Sequence, residues 1–357
     1  MIILRSIFIG GDSGSGKTVV ALGLALKLQH EGLKVGYFKP IDSDKGVRQQ
    51  RGEDAALFKR ALPLEDSLAV LSPFQTGPHY LSNGQWREIE ATKEKIKTAW
   101  QTAKGNFDVL LIEGSLAPET AASIGIDAIN LVKLFNAAML YVASLENDYD
   151  LDKTIFSNNH FRLEGLHVLG NIFNNVERTL IDKAKGIYVS LMEGQGYNVL
   201  GIIPRNEEIA SPTVKQFYDT LGGELLTNEG IGLERVVEEV VVGSMTIESA
   251  LSYLRRAPNK AVITGGDRSD IALTALETST SVLILTGGLY PDVGVLTRAA
   301  EKSVPVILVH YDTFSAIERL HEMSHRIHSG DTRGVRIAQD NIINYCNWQA
   351  ILQYLSS

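Results

Sequence analysis

The sequence predicts an α/β protein: a parallel P-loop sheet with helices on both faces, followed by a smaller α/β domain. Short, wholly apolar runs alternate with longer segments of helical periodicity along the chain. A glycine-rich turn follows the first apolar run and precedes the first helical segment. Strands that are apolar on both faces need helices on both sides, which is typical of a parallel sheet. All such strands end at one edge, where ligands bind.

The first half supplies most of these strands. They are SIFIGG, KVGYFKP, DVLLIEG, AAMLYVAS, HVLGNIFN and NVLGIIP. Segments of helical period lie between them; VVALGLALKLQHEG, for example, closes at Gly32, where a C-terminal cap is expected.

The pattern changes in PRNEEIASPTVKQFYDTLGGELL, which contains two prolines and a Gly222-Gly223 pair. We place a boundary at about 206–220, which predicts a nucleotide-binding domain over 1–210 and a second α/β domain over 211–357. The second domain again alternates. Its predicted strands are VEEVVVGS, KAVITGG, SVLILTGG and VPVILVH, and its predicted helices are TIESALSYLRR, SDIALTALET, GVLTRAAEKS and TFSAIERLHEMSHRIH.

Composition excludes several function classes. The net charge of -8 over 357 residues argues against non-specific nucleic-acid binding, which needs a basic surface. No apolar run reaches the roughly 18 to 20 residues that cross a bilayer. The N-terminal MIILRSIFIGG leads directly into the glycine-rich turn and does not resemble a signal peptide. The single cysteine, Cys346, cannot form an internal disulfide, so we expect a cytoplasmic protein.

The glycine-rich turn fits the P-loop pattern G-x-x-x-x-G-K-[ST] in a strand–loop–helix context. Its residues are Gly11, Asp12, Ser13, Gly14, Ser15, Gly16, Lys17 and Thr18. Glycines let successive N–H groups point at phosphate oxygens near the positive end of a helix. The lysine supplies a charge between the outer phosphates, and the threonine hydroxyl ligates magnesium. The motif therefore predicts a site for a nucleoside triphosphate with Mg²⁺.

Three charged residues follow or precede predicted elements near this edge. Glu113 ends DVLLIEG, a position from which a carboxylate reaches the metal or its water shell. Asp54 begins a predicted helix and is either a capping acid or a metal ligand. Lys39 follows a strand and precedes a proline, and its pattern alone does not separate a functional lysine from a solvated one.

The order of motifs resembles a known family. GGDSGSGKT, GYFKPIDS, EDA, LLIEG, GNIFNN and LGIIPRNEEIASPTV occur as in dethiobiotin synthetase-like P-loop proteins. They are most similar to the N-terminal region of long phosphotransacetylases and its stand-alone relatives. The second half, with ITGGDRSDIALTALET, LILTGGLYP and VPVILVHYDTFSA, resembles the DRTGG domain that follows in those proteins.

The resemblance implies roles for single residues. Thr18, Asp54 and Glu113 fall where relatives place oxygens associated with magnesium. Lys39 falls where they place a lysine facing the transferred phosphoryl group, and Ser43 matches a serine on the substrate side. Asn174, in GNIFNN, falls where an asparagine recognises adenine, which implies ATP; the alternative is a turn residue at a strand end, and the resemblance favours the contact with the base.

The sequence departs from that family after Glu113. It reads GSLAPE where dethiobiotin synthetase has a glycine-rich GAGG stretch, and the segment after Lys39 is longer and more charged. We therefore do not expect dethiobiotin synthesis. The phosphotransacetylase catalytic domain would follow beyond residue 357, so we do not expect acetyl transfer by this chain. Relatives that amidate cobyrinic acid use a cysteine nucleophile, a role for which Cys346 offers no local support.

Three further patterns have structural alternatives. HEMSH places His321, Glu322 and His325 at zinc-peptidase spacing, with His328 one turn on, but a hydrated helix surface is the preferred interpretation. The Thr-Gly-Gly turns at 264–266 and 286–288, with Asp267-Arg268-Ser269, predict either an anion cradle or tight turns. YDTFSA is most simply an Asp or Thr helix cap.

Two functions remain open at this stage. The first is a magnesium-ATP-binding regulatory or metabolite-sensing protein, and we favour it slightly because of the departure at 115–118. The second is an ATP-dependent enzyme that phosphorylates a small carboxylate or carbamate, with Lys17, Lys39 and Ser43 as catalytic residues. The resemblance also implies a homodimer, because synthetase-like relatives close their site across a subunit interface.

Overall fold

The computed structural model describes residues 5–43, 52–77, 79–83, 85–105, 107–206, 212–227, 230, 232–321, 327 and 331–356. The chain divides into two compact units. The first comprises residues 1–206 and 327–357, and the second comprises residues 207–326.

Most strands and helices of the first unit alternate along the chain. The strands are β1 (Arg5–Gly11), β2 (Val35–Phe38), β3 (Ile41–Ser43), β4 (Phe74–Thr76), β5 (Val109–Glu113), β6 (Ala138–Ser144), β7 (Val168–Val176) and β8 (Val199–Pro204). The helices are α1 (Lys17–His30), α2 (Glu53–Ala61), α3 (Leu68–Leu71), α4 (Ile89–Ala103), α5 (Ala128–Phe135), α6 (Asp148–Leu163), α7 (Ile181–Lys183) and α8 (Val189–Gly194), the last two joined by a π-helical turn at Ala184–Tyr188.

The main sheet of this unit has six strands in the order β2-β5-β1-β6-β7-β8, and every neighbouring pair is parallel. The six apolar runs predicted as strands in the first half are confirmed. Their central residues, such as Ile7, Phe8 and Ile9 of β1, are fully buried because helices cover both faces. Chain order reverses on either side of β1, which places the glycine-rich turn at the point where α/β sheets bind ligands.

The second unit is built in the same way on a smaller scale. Its strands are β9 (Glu224–Leu225), β10 (Glu239–Val242), β11 (Lys260–Gly265), β12 (Thr280–Thr286) and β13 (Val306–Leu308). Its helices are α9 (Val214–Leu221), α10 (Ile247–Arg256), α11 (Ser269–Leu276), α12 (Val293–Glu301) and α13 (Thr313–His321). The sheet order is β10-β11-β12-β13-β9, with β9 antiparallel at one edge. The four predicted strands are confirmed; β9 was missed, since two residues are too few to show a period.

The C-terminal segment does not follow the boundary we drew. Residues 327–357, assigned above to the second domain, belong to the first unit, where they form α14 (Thr332–Tyr345) and α15 (Trp348–Ser356). The main chain of Cys346 forms a bridge with Gly201 of β8, and the Asn347 N–H donates to the Leu200 carbonyl at 2.6 Å. The segment is thereby tied to the edge strand of the main sheet.

Helix α14 also packs against α1. Gly23 makes this possible, because a Cβ on it would overlap the carbonyl oxygen of Ala338 and the side chain of Ile342. Beyond α14, the Lys27 ammonium lies 4.0 Å from the ring centroid of Trp348. In the part of the chain that the structure describes, no helix is both long and apolar enough to cross a bilayer.

Candidate functional site

The glycine-rich turn curls between the end of β1 and the start of α1. Gly14 and Gly16 have φ values of 78° and 81°, the left-handed region that glycine adopts at little cost. Gly11 and Gly16 also have no room for a side chain, since a Cβ would overlap the Val142 carbonyl oxygen and the Asn174 amide, respectively. Helix α1 begins at Lys17 without a side-chain cap. Its first N–H groups thus face the turn, as an anion site requires.

The Lys17 ammonium lies against main-chain oxygens. It donates to the carbonyls of Gly11 at 3.0 Å, Asp12 at 2.7 Å and Leu116 at 3.1 Å. Leu116 belongs to the segment after β5, 99 residues away in sequence. The lysine is therefore held at the mouth of the turn by neutral acceptors that phosphate oxygens, being charged, would outcompete.

Three other residues of the turn have defined surroundings. The Ser15 hydroxyl is fully buried and has no hydrogen-bond partner among the described residues. Asp12 forms an ion pair with Lys153 of α6, with 3.1 Å between Oδ2 and Nζ. Ser13 is exposed at the tip of the turn.

A second group of charges lies at the ends of β2 and β5, beside the turn. The Lys39 ammonium donates to Asp54 Oδ2 and, at 2.9 Å, to Glu113 Oε1. The Thr18 hydroxyl donates to the same Glu113 oxygen at 2.8 Å, and the Tyr37 hydroxyl donates to Glu113 Oε2 at 2.8 Å. Lys39, Asp54 and Glu113 are 7%, 3% and 1% exposed. We call these five side chains the Lys39 cluster.

The charges of this cluster stabilise one another. Burial alone would lower the pKa of Lys39, but the carboxylates of Asp54 and Glu113 outweigh it and hold that pKa above its ordinary value. Burial, followed by the charge of Glu113, raises the pKa of the Tyr37 hydroxyl well above its usual range. Lys39 is therefore an ammonium and Tyr37 a neutral donor at physiological pH.

The donor set suits a hard divalent cation. Thr18, Asp54 and Glu113, predicted as metal ligands, bring a hydroxyl and two carboxylates to one place, and oxygen ligands of this kind are those Mg²⁺ prefers. Lys39 connects the two carboxylates, so it competes with a metal for the same oxygens. Among the described residues, no cluster of three or more His, Cys, Asp or Glu side chains forms a ready-made metal cage.

The other predicted site residues are placed less directly. Ser43 pairs with Thr76 in a two-stranded parallel sheet of β3 and β4; its side chain lies outside the described part of the structure. The Asn174 amide is buried and donates to the Ser15 carbonyl at 2.9 Å, so it contacts the turn itself. Recognition of adenine by Asn174 stays a prediction.

Sequence reasoning missed two features of the site. Tyr37 lies in a wholly buried strand and looked like core, and its ring stacks on Phe58 with 3.7 Å between centroids. The period of two along a strand, which puts residues 37 and 39 on one face, could have indicated its hydroxyl. The Leu116 carbonyl could not have been found, because a main-chain acceptor leaves no mark in the sequence.

The patterns with structural alternatives are resolved in part. At Thr-Gly-Gly 286–288 both glycines have positive φ, and a Cβ on Gly266 would overlap the Leu289 carbonyl, so both turns need glycine for geometry alone. Arg268 pairs with Asp270 at 2.9 Å. The Asp312 side chain accepts from the Ser315 N–H at 2.8 Å, which confirms a cap before α13.

Two further predictions concern the end of the chain. Burial raises the pKa of the Cys346 thiol to about 12, which fits the inert cysteine we predicted. Helix α13 ends at His321, while the His321 side chain and Glu322, His325 and His328 lie outside the described residues. The interpretation of the HEMSH motif as a hydrated helix surface therefore stays a prediction.

Comparison with known proteins agrees with this architecture. Residues 5–213 match the family described as an AAA domain, and residues 216–323 match the DRTGG domain. The chain belongs to the AAA-domain family. It thus carries a dethiobiotin synthetase-like AAA domain with a P-loop, followed by a DRTGG domain, as the motif order predicted.

Curated relatives of the AAA and DRTGG domains are of two kinds. A phosphate acetyltransferase of Pseudomonas putida is 26% identical over 96% of this chain and 50% of its own length. An ATP-dependent dethiobiotin synthetase of Methanocaldococcus jannaschii is 30% identical over 47% of this chain and 78% of its own. The chain spans about half the length of the phosphate acetyltransferases it matches.

Solved structures of other proteins are also similar to parts of the chain. The septum site-determining protein MinD of Pyrococcus horikoshii, complexed with Mg-ADP, is 16% identical over 58% of this chain and 84% of its own, with a TM-score of 0.37. The CBS and DRTGG domains of a Clostridium perfringens pyrophosphatase, complexed with diadenosine tetraphosphate, are 27% identical over 35% of this chain and 51% of their own, with a TM-score of 0.30.

Proposed function

We propose that the AAA domain binds ATP with Mg²⁺ and that the chain is a nucleotide-dependent regulatory or metabolite-sensing protein. The observation that carries this proposal is the position of Lys17. Its ammonium lies at the mouth of a glycine turn and is held by carbonyl oxygens of the turn and of Leu116. Phosphate oxygens are stronger acceptors for an ammonium than carbonyls, so this arrangement suits an incoming polyphosphate.

Magnesium would be held by Thr18, Asp54 and Glu113, whose oxygens already lie together. When bound there, the metal would neutralise charge on the outer phosphates. Asn174, which contacts the turn, would meet the adenine or brace the loop.

A regulatory role is supported by the contact between Lys17 and Leu116. Leu116 lies in GSLAPE, where the sequence departs from dethiobiotin synthetase. A phosphate that takes Lys17 from Leu116 removes one of the hydrogen bonds that hold this segment, so nucleotide binding and the position of residues 114–119 would be coupled. Such coupling is what a nucleotide-dependent switch needs.

The test is a calorimetric titration of the full chain with ATP and with GTP, each in the presence of Mg²⁺. We expect saturable binding of ATP with slow or undetectable ADP release. A folded chain that binds neither nucleotide contradicts the proposal.

An enzyme is the second candidate, and the Lys39 cluster favours it. A buried ammonium between two carboxylates, next to the P-loop, is placed to hold an anionic acceptor in a phosphoryl transfer. Steady ADP release that depends on an added small carboxylic or carbamic acid, and disappears in Lys39→Ala, would select the enzyme. Tight ATP binding without turnover across a panel of such acids would select the regulator.

We also propose that the chain is cytoplasmic and pairs with a second copy of itself. Helix α6 exposes apolar side chains seven residues apart: Tyr149, Phe156 and Leu163 are 82%, 75% and 84% exposed. Seven residues are nearly two helical turns, so the three form one stripe. A two-fold axis at Phe156 would set each of them against an apolar residue of the partner.

Phe156→Asp should therefore convert a dimer into a monomer, because it puts two carboxylates at the centre of the paired stripes. Light scattering at micromolar concentration measures the change, with Lys185→Asp, which inverts an exposed charge outside the stripe, as the control. A wild-type monomer at that concentration contradicts the proposal.

A further inference from the structure

The Lys39 ammonium occupies the space between the carboxylates of Asp54 and Glu113. Lys39 extends from the end of β2, is only 7% exposed, and bonds both carboxylates. The carboxylates are more buried still, at 3% and 1%. Buried charges are tolerated when they are paired and hydrogen-bonded, and this cluster meets both conditions through its own side chains.

Glu113 is well supplied with donors. One of its oxygens accepts from Lys39 and Thr18, and the other accepts from Tyr37. The Tyr37 ring is itself fixed by stacking on Phe58 at an interplanar angle of 9°. The carboxylate is thus held in one orientation, with Oε1 facing the Thr18 hydroxyl and the Lys39 ammonium and Oε2 facing the Tyr37 hydroxyl.

The carboxylate oxygens of Asp54 and Glu113 are also the ligands that a divalent cation would use. A metal bound to Asp54 and Glu113 while Lys39 remained in place would lie a few ångströms from an ammonium that is almost completely removed from water. Like charges repel strongly there, because little solvent screens them. The ammonium has to leave the carboxylates for the metal to bind them.

A bound nucleotide would provide a new partner for the Lys39 ammonium. Lys39 lies at the edge of the sheet that carries the P-loop, and the charge of a polyphosphate can pair with an ammonium that the carboxylates release. Metal and nucleotide would then enter together, and neither the carboxylates nor the lysine would be left unpaired at any stage.

We propose that the Lys39 ammonium is the resident counter-cation of Asp54 and Glu113 in the nucleotide-free protein and keeps divalent cations out until a nucleotide binds. The proposal deepens the function proposed above, since it specifies how metal binding is made conditional on nucleotide. It predicts that a neutral side chain at position 39 opens the pair of carboxylates to a divalent cation alone.

The experiment measures Mn²⁺ binding to the nucleotide-free full chain, by electron paramagnetic resonance and by calorimetry. Lys39→Met should bind one Mn²⁺ at least about tenfold more tightly than the wild type, since two buried carboxylates lose their counter-charge. Lys39→Gln, whose amide keeps a donor for the carboxylates, should show the same gain and guards against a Met variant that folds poorly. Circular dichroism and thermal melting in each preparation verify the fold.

Two controls locate the effect. Lys17→Met removes a neighbouring lysine that donates to the carbonyls of Gly11, Asp12 and Leu116, and it should not increase Mn²⁺ affinity. The double variant Lys39→Met/Asp54→Asn removes one of the two buried carboxylate ligands and should lose the gain. A general effect of deleting positive charge would appear in Lys17→Met as well.

Two results overturn the proposal. One is a nucleotide-free wild type that already binds one Mn²⁺ as tightly as Lys39→Met, and the other is a folded Lys39→Gln without any gain. Neither result depends on ATP, so failure here is separate from failure of the proposed function. A chain that gains Mn²⁺ affinity in Lys39→Met yet never binds ATP would support the exclusion of divalent cations by Lys39 and contradict the proposed binding of ATP.

Discussion

Replacing Lys17 by alanine is expected to abolish measurable ATP binding at micromolar concentrations while leaving the fold intact. The lysine supplies a positive charge at the mouth of the P-loop, where it donates to the carbonyl oxygens of Gly11, Asp12 and Leu116. Hydrogen bonds to charged groups contribute about 1.5–3 kcal/mol each, so losing those to two phosphates should weaken binding by about 3 kcal/mol or more, a factor above about a hundred. Isothermal titration of both proteins with Mg-ATP measures the difference.

A matched control separates the P-loop charge from charge in general. Lys153 also touches the loop, through Asp12 at 3.1 Å, but its side chain is 61% exposed and lies on helix α6. Because exposed ion pairs contribute about 0–1 kcal/mol, Lys153→Ala should change ATP affinity by less than about fivefold. If Lys17→Ala binds ATP as the wild type does, the glycine turn is not where the phosphates bind. Equal weakening by Lys17→Ala and Lys153→Ala would show a general effect of positive charge and would contradict a specific role for Lys17.

The site was predictable where it depends on local pattern or on a general rule of sheet topology. The P-loop is a contiguous motif whose glycines are needed by the backbone itself, as the positive φ of Gly14 and Gly16 illustrates. Lys39 and Glu113 are 74 residues apart, yet Lys39 follows β2 and Glu113 ends the parallel strand β5, so the two meet at one edge. Their direct bond could not be predicted, because it depends on side-chain rotamers that periodicity does not specify.

The features of the structure that the sequence did not predict depend on contacts between distant residues or on main-chain atoms. Tyr37 looks like a core aromatic because nothing in its strand is polar, and only its partner, Glu113, shows that its hydroxyl serves the site. The C-terminal helices have the apolar spacing of any amphipathic pair, so their pattern does not tell which unit they cover. Gly23 was the available clue, but a single glycine inside a helix is also compatible with an ordinary helix.

Gly23→Ala is expected to destabilise the first unit even though alanine is the better helix former. Alanine in a helix interior is favoured over glycine by about 1 kcal/mol. At this position, however, its Cβ would overlap the Ala338 carbonyl oxygen, a main-chain atom that cannot rotate aside, and the Ile342 side chain. Overpacking of this kind typically costs about 1–3 kcal/mol, so α14 should be pushed from α1 and the free energy of unfolding in urea should fall by that order.

Gly194→Ala is the control with the opposite expectation. Gly194 ends α8, and a Cβ there would meet nothing within 4 Å, so the substitution should be neutral or stabilising by up to about 1 kcal/mol. Faster amide hydrogen exchange over residues 332–345 in Gly23→Ala alone would show that the loss comes from the contact between α1 and α14. Equal free energies of unfolding and equal amide exchange in both variants would contradict that contact, and with it the assignment of residues 327–357 to the nucleotide-binding unit. A loss of stability confined to Gly23→Ala would instead show that the C-terminal helix α14 packs on the helix that begins at Lys17.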